Sequence, residues 1–189
     1  MSNKIFAGVD EVGRGCLAGP VISCALILKK KVNKKLLQDS KTIPFEDRVK
    51  IAKHIKKNSW YAIGLASVRE IDKYNIFNAS LLSMERAAKK LKKKPHIFLV
   101  DGTHAPKKLK NSKTVIKGDQ KIKCISAASI VAKAYRDLYM IKLGNKFPQY
   151  KWNKNFGYGT WQHLGALKKF GVTVYHRKSY RPVHNILSK

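Results

Sequence analysis

The chain has 189 residues, of which 40 are Lys or Arg and only 11 are Asp or Glu, giving a formal charge of +29. That length suits one domain with a sizeable core, and 44% hydrophobic with 10% aromatic residues excludes a disordered chain. So strong a positive field concentrates polyanions, which makes nucleic acid the first candidate partner, although a solvated lysine surface gives the same composition.

In chain order, Met1–Lys4 is polar and Ile5–Val9 is too short for a signal core, so no secretory leader is expected. Ile5–Val9 and Val21–Leu28 are predicted strands. Pro44 starts a helix that Val49, Ile51, Ala52 and Ile55 carry to about Lys57. Trp60–Ala66 is a third strand. Val68–Tyr74 is a short helix and Phe77–Leu91 a longer one with a broad apolar face, stopped by Pro95. His96–Val100 and Thr114–Ile116 are strands, Ile122–Leu143 is one long helix closed by Gly144, and a further helix spans about Trp161–Phe170. The tail from Val172 to Lys189 is expected to be irregular. This order implies a mixed sheet flanked by helices, an α/β fold. No apolar run approaches membrane-spanning length. Cys16, Cys24 and Cys124 form no C-x-x-C pair, so reduced thiols and a cytoplasmic location are expected.

Acids are scarce, so their placement is informative. Asp10 and Glu11 follow the apolar run IFAGV and precede Gly13-Arg14-Gly15. Adjacent strand residues face opposite ways, so both serve one site only where the strand ends or bends. Asp101 ends the run IFLV, where an Asp-Gly turn is an equally good reading until the two strand ends are considered together. Asp119 in KGDQ reads alone as a turn or helix-start charge, and Asp137 as an i,i+4 partner of Lys133. Carboxylates at strand ends are hard ligands for Mg2+. Such a site beside a basic surface points to phosphodiester chemistry through one or two metal ions. The histidines lack zinc spacing, and no Ser or Cys triad is visible. A non-enzymatic basic RNA-binding protein, or another nuclease on a similar fold, stays open on these grounds.

The motifs go further. GVDEVGRGCLAGPV, DSK at Asp39–Lys41, and GLASVREIDKYNIFNASLLSMERA at Gly64–Ala87 resemble blocks of the ribonuclease HII (type 2 ribonuclease H) family. So do LVDG at Leu99–Gly102, KGD at Lys117–Asp119, ISAASIVAKAYRD at Ile125–Asp137, FGYGT at Phe156–Thr160 with His163, and HRKSYRPV at His176–Val183. The resemblance covers nearly the whole chain. It implies a ribonuclease H-like fold, a central mixed sheet flanked by helices, in a single catalytic domain over residues 1–189 with about 145–189 as a C-terminal helical extension. It implies an endoribonuclease that hydrolyses the RNA strand of RNA–DNA hybrids. Such an enzyme also cuts 5′ to ribonucleotides embedded in duplex DNA, leaves 3′-hydroxyl and 5′-phosphate ends, and serves ribonucleotide removal and RNA primer processing.

The resemblance also implies roles. Asp10, Glu11, Asp101 and Asp119 would be catalytic and hold Mg2+ or Mn2+, two ions with substrate bound, with Asp137 as the alternative to Asp119. Gly13, Arg14 and Gly15 would read the 2′-hydroxyl, the group that separates RNA from DNA locally. Tyr158 would pack on the next, deoxy, sugar, and Lys41 and Lys133 would contact phosphates. The partners would be RNA–DNA hybrid and ribonucleotide-containing DNA, with no membrane and a monomeric chain. Cys16 stands where proline is frequent, and FGYGT replaces the commoner KGYGT. The Gly-Arg-Gly form without a long N-terminal extension sets the chain apart from ribonuclease HIII.

Overall fold

The computed structural model describes residues 4–29, 32, 36, 37, 39, 40 and 42–188. Five strands, β1 (Phe6–Val12), β2 (Val21–Leu28), β3 (Ser59–Ala66), β4 (Ile97–Asp101) and β5 (Ser112–Val115), form one sheet in the order β3-β2-β1-β4-β5. The β3-β2-β1 half is antiparallel, and β1-β4-β5 is parallel. The expected mixed sheet is therefore present. β2 is buried along nearly its whole length, which explains why its sequence is an unbroken apolar run rather than an alternating one.

Helices cover both faces. The helix α1 (Phe45–Lys57) carries Glu46 and Asp47 in its first turn and Lys56 and Lys57 in its last, matching its dipole. The helix α2 (Val68–Lys90) starts at Ser67, whose side chain and that of Glu70 form a reciprocal capping box. It kinks at Asn75 (φ 65°), which accounts for the two helices expected there. α2 packs on Ala7, Val9, Ala25, Ile27, Ala62 and Val100. On the other face lie α1 and α4 (Lys123–Lys146), against Cys24 and Leu26.

The approach of α4 to the sheet sets the position of the site. A side chain at Gly8 would run into the backbone of Cys124 and Ile125, so only glycine lets the start of α4 touch β1. From that contact, one helical turn and two strand residues each advance about 6 Å. Ser129, one turn beyond Ile125, thereby travels with Asp10, two residues beyond Gly8.

Five features depart from the sequence-based expectations. β1 runs on through Val12, so Asp10 and Glu11 lie within paired strand, opposite Cys24 and Ser23. α4 continues past Gly144 to Lys146. The tail is not wholly irregular: Arg181–Leu187 forms a helix, α7, with proline in its first turn. The short helices α3 (Gly118–Lys121) and α5 (Trp152–Asn155) were also not anticipated, whereas α6 (Trp161–Phe170) coincides with its expected span. α5, α6 and α7 gather with the end of α4 around Tyr150, Trp152, Leu167 and Val183 as a C-terminal helical extension.

Candidate active site

One cleft of about 320 Å³ is lined by Asp10, Glu11, Asp101 and Asp119, by Gly13, Arg14 and Gly15, and by Ser40, Ser129, Lys133 and Tyr158. Its acids come from β1, the end of β4 and the first turn of α3, segments up to 109 positions apart. Asp10 faces the α4 side of β1 and Glu11 the α2 side, where a second depression runs past Asp101 to Phe77, Ser80 and His104. Both acids reach one site because the space wraps around the end of the sheet. The strand itself does not stop there.

The electrostatics are those of crowded negative charge. Burial, then the charges of Glu11 and Asp101, hold the Asp10 carboxyl well above the usual carboxylate range. Burial also raises Glu11, an effect that the Arg14 guanidinium partly offsets. Each acid has a local partner. Asp10 accepts the Glu11 N–H at 2.7 Å, Glu11 meets Arg14 at 3.3 Å, Asp101 accepts the Gly118 N–H at 2.7 Å, and Asp119 accepts the Gln120 N–H at 3.0 Å. Among the described residues, no three His, Cys, Asp or Glu side chains stand close enough to enclose a metal ion. The acids share a cleft without closing into a cage.

Asp137 lies elsewhere. It is fully buried, 2.8 Å from both Arg48 and Lys133, and is not part of the cleft lining. It steadies Lys133, whose ammonium sits 5.2 Å from the Phe156 ring centre and 5.6 Å from that of Tyr158. Lys41 lies outside the described residues.

Sequence reasoning assigned no role to the layer behind the cleft. The Tyr158 carbonyl is held by His163 Nδ1 at 2.8 Å. His163 Nε2 accepts from the Trp152 indole at 3.0 Å and meets His176 Nε2 at 3.1 Å. Thr173 donates its N–H to His176 Nδ1 at 3.0 Å. These contacts close only with both rings neutral, His163 protonated on Nδ1 and His176 on Nε2. Burial lowers both imidazoles, and the neighbouring His163 helps bring His176 to about 3. Arg136 and Arg177, also buried, donate to carbonyls of the 13–20 loop. Their motif blocks contributed only to the resemblance.

A ribonuclease HII family profile matches residues 7–183. The chain is 56% identical over 186 residues to the ribonuclease HII of Pelagibacter ubique (strain HTCC1062), covering 97% of this chain and 100% of the relative. The chain belongs to the ribonuclease HII family. Its backbone is similar to the ribonuclease H2 of Pyrococcus horikoshii OT3, with a TM-score of 0.82 at 25% identity over 97% of each chain. The fold recurs in the Bst ribonuclease HIII in complex with Mn2+, at TM-score 0.71 and 14% identity, covering 98% of this chain and 70% of that one. As a ribonuclease HII, the chain is a metal-dependent endoribonuclease that cleaves RNA in RNA–DNA hybrids. Among the described residues, no helix is long and apolar enough to cross a membrane.

Proposed function

We propose that Asp10, Glu11, Asp101 and Asp119 hold Mg2+ or Mn2+ and that the cleft cuts the phosphodiester 5′ to a ribonucleotide, in hybrids and at single ribonucleotides within DNA. The observation that carries this reading is the convergence on one cleft of acids from β1, β4 and α3 with the Gly13–Gly15 turn and Tyr158. The donor set fits such ions: all four ligands are hard carboxylate oxygens, and the like charges that raise Asp10 are those a divalent cation relieves. When bound, the ions would activate water and stabilise the leaving 3′ oxygen.

The protein's own groups supply the rest. Asp119 is chosen over Asp137 because it lines the cleft, while Asp137 is committed to Arg48 and Lys133. The Gly13-Arg14-Gly15 turn meets the 2′-hydroxyl, and the half-exposed Arg14 side chain braces phosphate. Tyr158 lays its ring on the following deoxyribose, which disfavours a ribose there. Lys133, steered by Asp137, faces a phosphate, and Lys41 is assigned the same task from its motif. The products would carry 3′-hydroxyl and 5′-phosphate ends. The enzyme would act as a single-domain monomer, and its three unpaired cysteines suit the reducing cytoplasm.

A cleavage assay on DNA duplexes with none, one or several ribonucleotides tests this reading. The expected result is metal-dependent cutting of the second and third, 5′ to a ribonucleotide, with the first left intact. Equal cutting of all three, or no cutting of the second, would overturn it.

A further inference from the structure

Arg177 is 0% exposed, yet no carboxylate pairs with it among the described residues. Its guanidinium is spent on backbone carbonyls instead. It donates to Gly13 O at 2.6 Å, to Arg14 O at 2.8 Å, and to Gly19 O at 3.0 and 2.9 Å. It also donates to the Tyr180 hydroxyl at 3.0 Å, and that hydroxyl donates in turn to Arg14 O. Arg136 secures the far side of the same loop through Ala18 O and Pro20 O, each bond about as short. Burying a cation without an acid is costly, so these bonds must hold the loop in one shape.

The geometry of that shape bears on recognition. In a trans peptide, a carbonyl and the N–H that follows it point in opposite directions. Arg177 grips the carbonyls of Gly13 and Arg14 from behind and does not itself line the cleft. The N–H groups of Arg14 and Gly15 are therefore turned away from it, toward the cleft those residues line, and neither has a backbone acceptor among the described residues. Gly13 adopts φ +93°, a conformation that suits glycine, and a side chain there would strike Arg136.

We propose that Arg177 is a positioning residue for ribose recognition: by fixing the Gly13 and Arg14 carbonyls, it presents the Arg14 and Gly15 N–H groups to the substrate's 2′ oxygen and so sets the preference for RNA over DNA. The proposal rests on the reading above that this turn recognises the 2′-hydroxyl. Lysine keeps the charge but cannot hold three carbonyls from one planar fork.

The test measures KM for a duplex with one ribonucleotide and the inhibition constant Ki of the matching all-DNA duplex as competitor, in the same Mg2+ assay. The ratio Ki/KM reports discrimination. It is insensitive to the fraction of folded enzyme, which changes apparent kcat instead. Arg177→Lys is expected to lower Ki/KM about tenfold, the equivalent of one or two hydrogen bonds. A folded Arg177→Lys enzyme with the wild-type ratio overturns the proposal. Should Arg177→Lys fail to fold, Tyr180→Phe decides, since it deletes the hydroxyl that accepts from the Arg177 guanidinium and shares Arg14 O with it, loosening the grip of Arg177 on the turn: a reduced ratio supports the proposal, and an unchanged ratio overturns it. A wild-type ratio near unity would instead refute the underlying assignment of the turn.

Discussion

The sheet wall of the cleft and the layer that backs its opposite wall treat buried charge in opposite ways. On the sheet side, Asp10 and Glu11 are buried beside Asp101, and burial, then proximity of like charge, raises the Asp10 carboxyl. On the C-terminal side, Arg136 and Arg177 are buried against carbonyl oxygens, and His163 and His176 are buried neutral. The sheet wall is left under electrostatic strain that a cation relieves. The backing layer is satisfied within itself, and its charges hold loops in place. The wall is arranged for chemistry and the layer for geometry, so substitutions in each should fail differently.

The largest expected effect is on the sheet wall. Asp101→Asn should lower kcat roughly a thousandfold, about 4 kcal/mol of transition-state stabilisation, with the circular dichroism and melting temperature nearly unchanged. Wild-type turnover in that variant would remove Asp101 from the site. Next, Asp119→Asn and Asp137→Asn should produce crossed results. The former should lose activity and keep stability. The latter should lose about 3–5 kcal/mol of stability in urea titrations, because it strands the buried Arg48 cation and frees the partly buried Lys133. Identical profiles would erase the distinction drawn between these acids.

Metal should stabilise the fold as well as support turnover. At a hundredfold excess over Kd, Mg2+ or Mn2+ should add about 2.7 kcal/mol to unfolding. A thermal melt should show this shift in the wild type and lose most of it in Asp10→Asn. The backing layer predicts a different sensitivity, to acid. His163 and His176 are lowered from 6.5, His176 to about 3, so between those values the unfolded chain binds more protons than the folded one. Their contribution is complete above about 6.5 and is lost as pH falls toward 3. Urea midpoints at pH 7.5 and pH 5 should differ more in the wild type than in His176→Phe. The smallest expected effect is at Tyr158. Tyr158→Ala should reduce cleavage at a single embedded ribonucleotide about tenfold while duplex affinity changes less. Equal losses would argue against junction sensing.

Much of the sheet was legible. Val21–Leu28 was read to the residue because a central strand needs a continuous apolar run. The kinked α2 was read as two helices because Asn75 interrupts a single pattern. The short helices α3 and α5 escaped because a single turn has no period to detect, and α7 because its pattern is brief and begins with Arg-Pro. The acids and the Gly-Arg-Gly turn were found through motif and local context. Arg177 and His163 were quoted within motifs but given no role, because a buried arginine bonded to carbonyls looks, in sequence, like any surface arginine.

The amino-acid sequence alone determined the apolar strands, the scarcity and placement of acids, the strong positive field, and membership of a family. Those properties are local or compositional, and each is written in consecutive residues. The motif resemblance already preferred Asp119 to Asp137; only the tertiary structure revealed that Asp119 lines the cleft while Asp137 is paired with Arg48 and Lys133, and that Arg177 supports a turn 164 positions earlier in the chain. Such choices depend on which distant groups the packing brings within hydrogen-bonding reach, a distance that spacing along the chain does not encode.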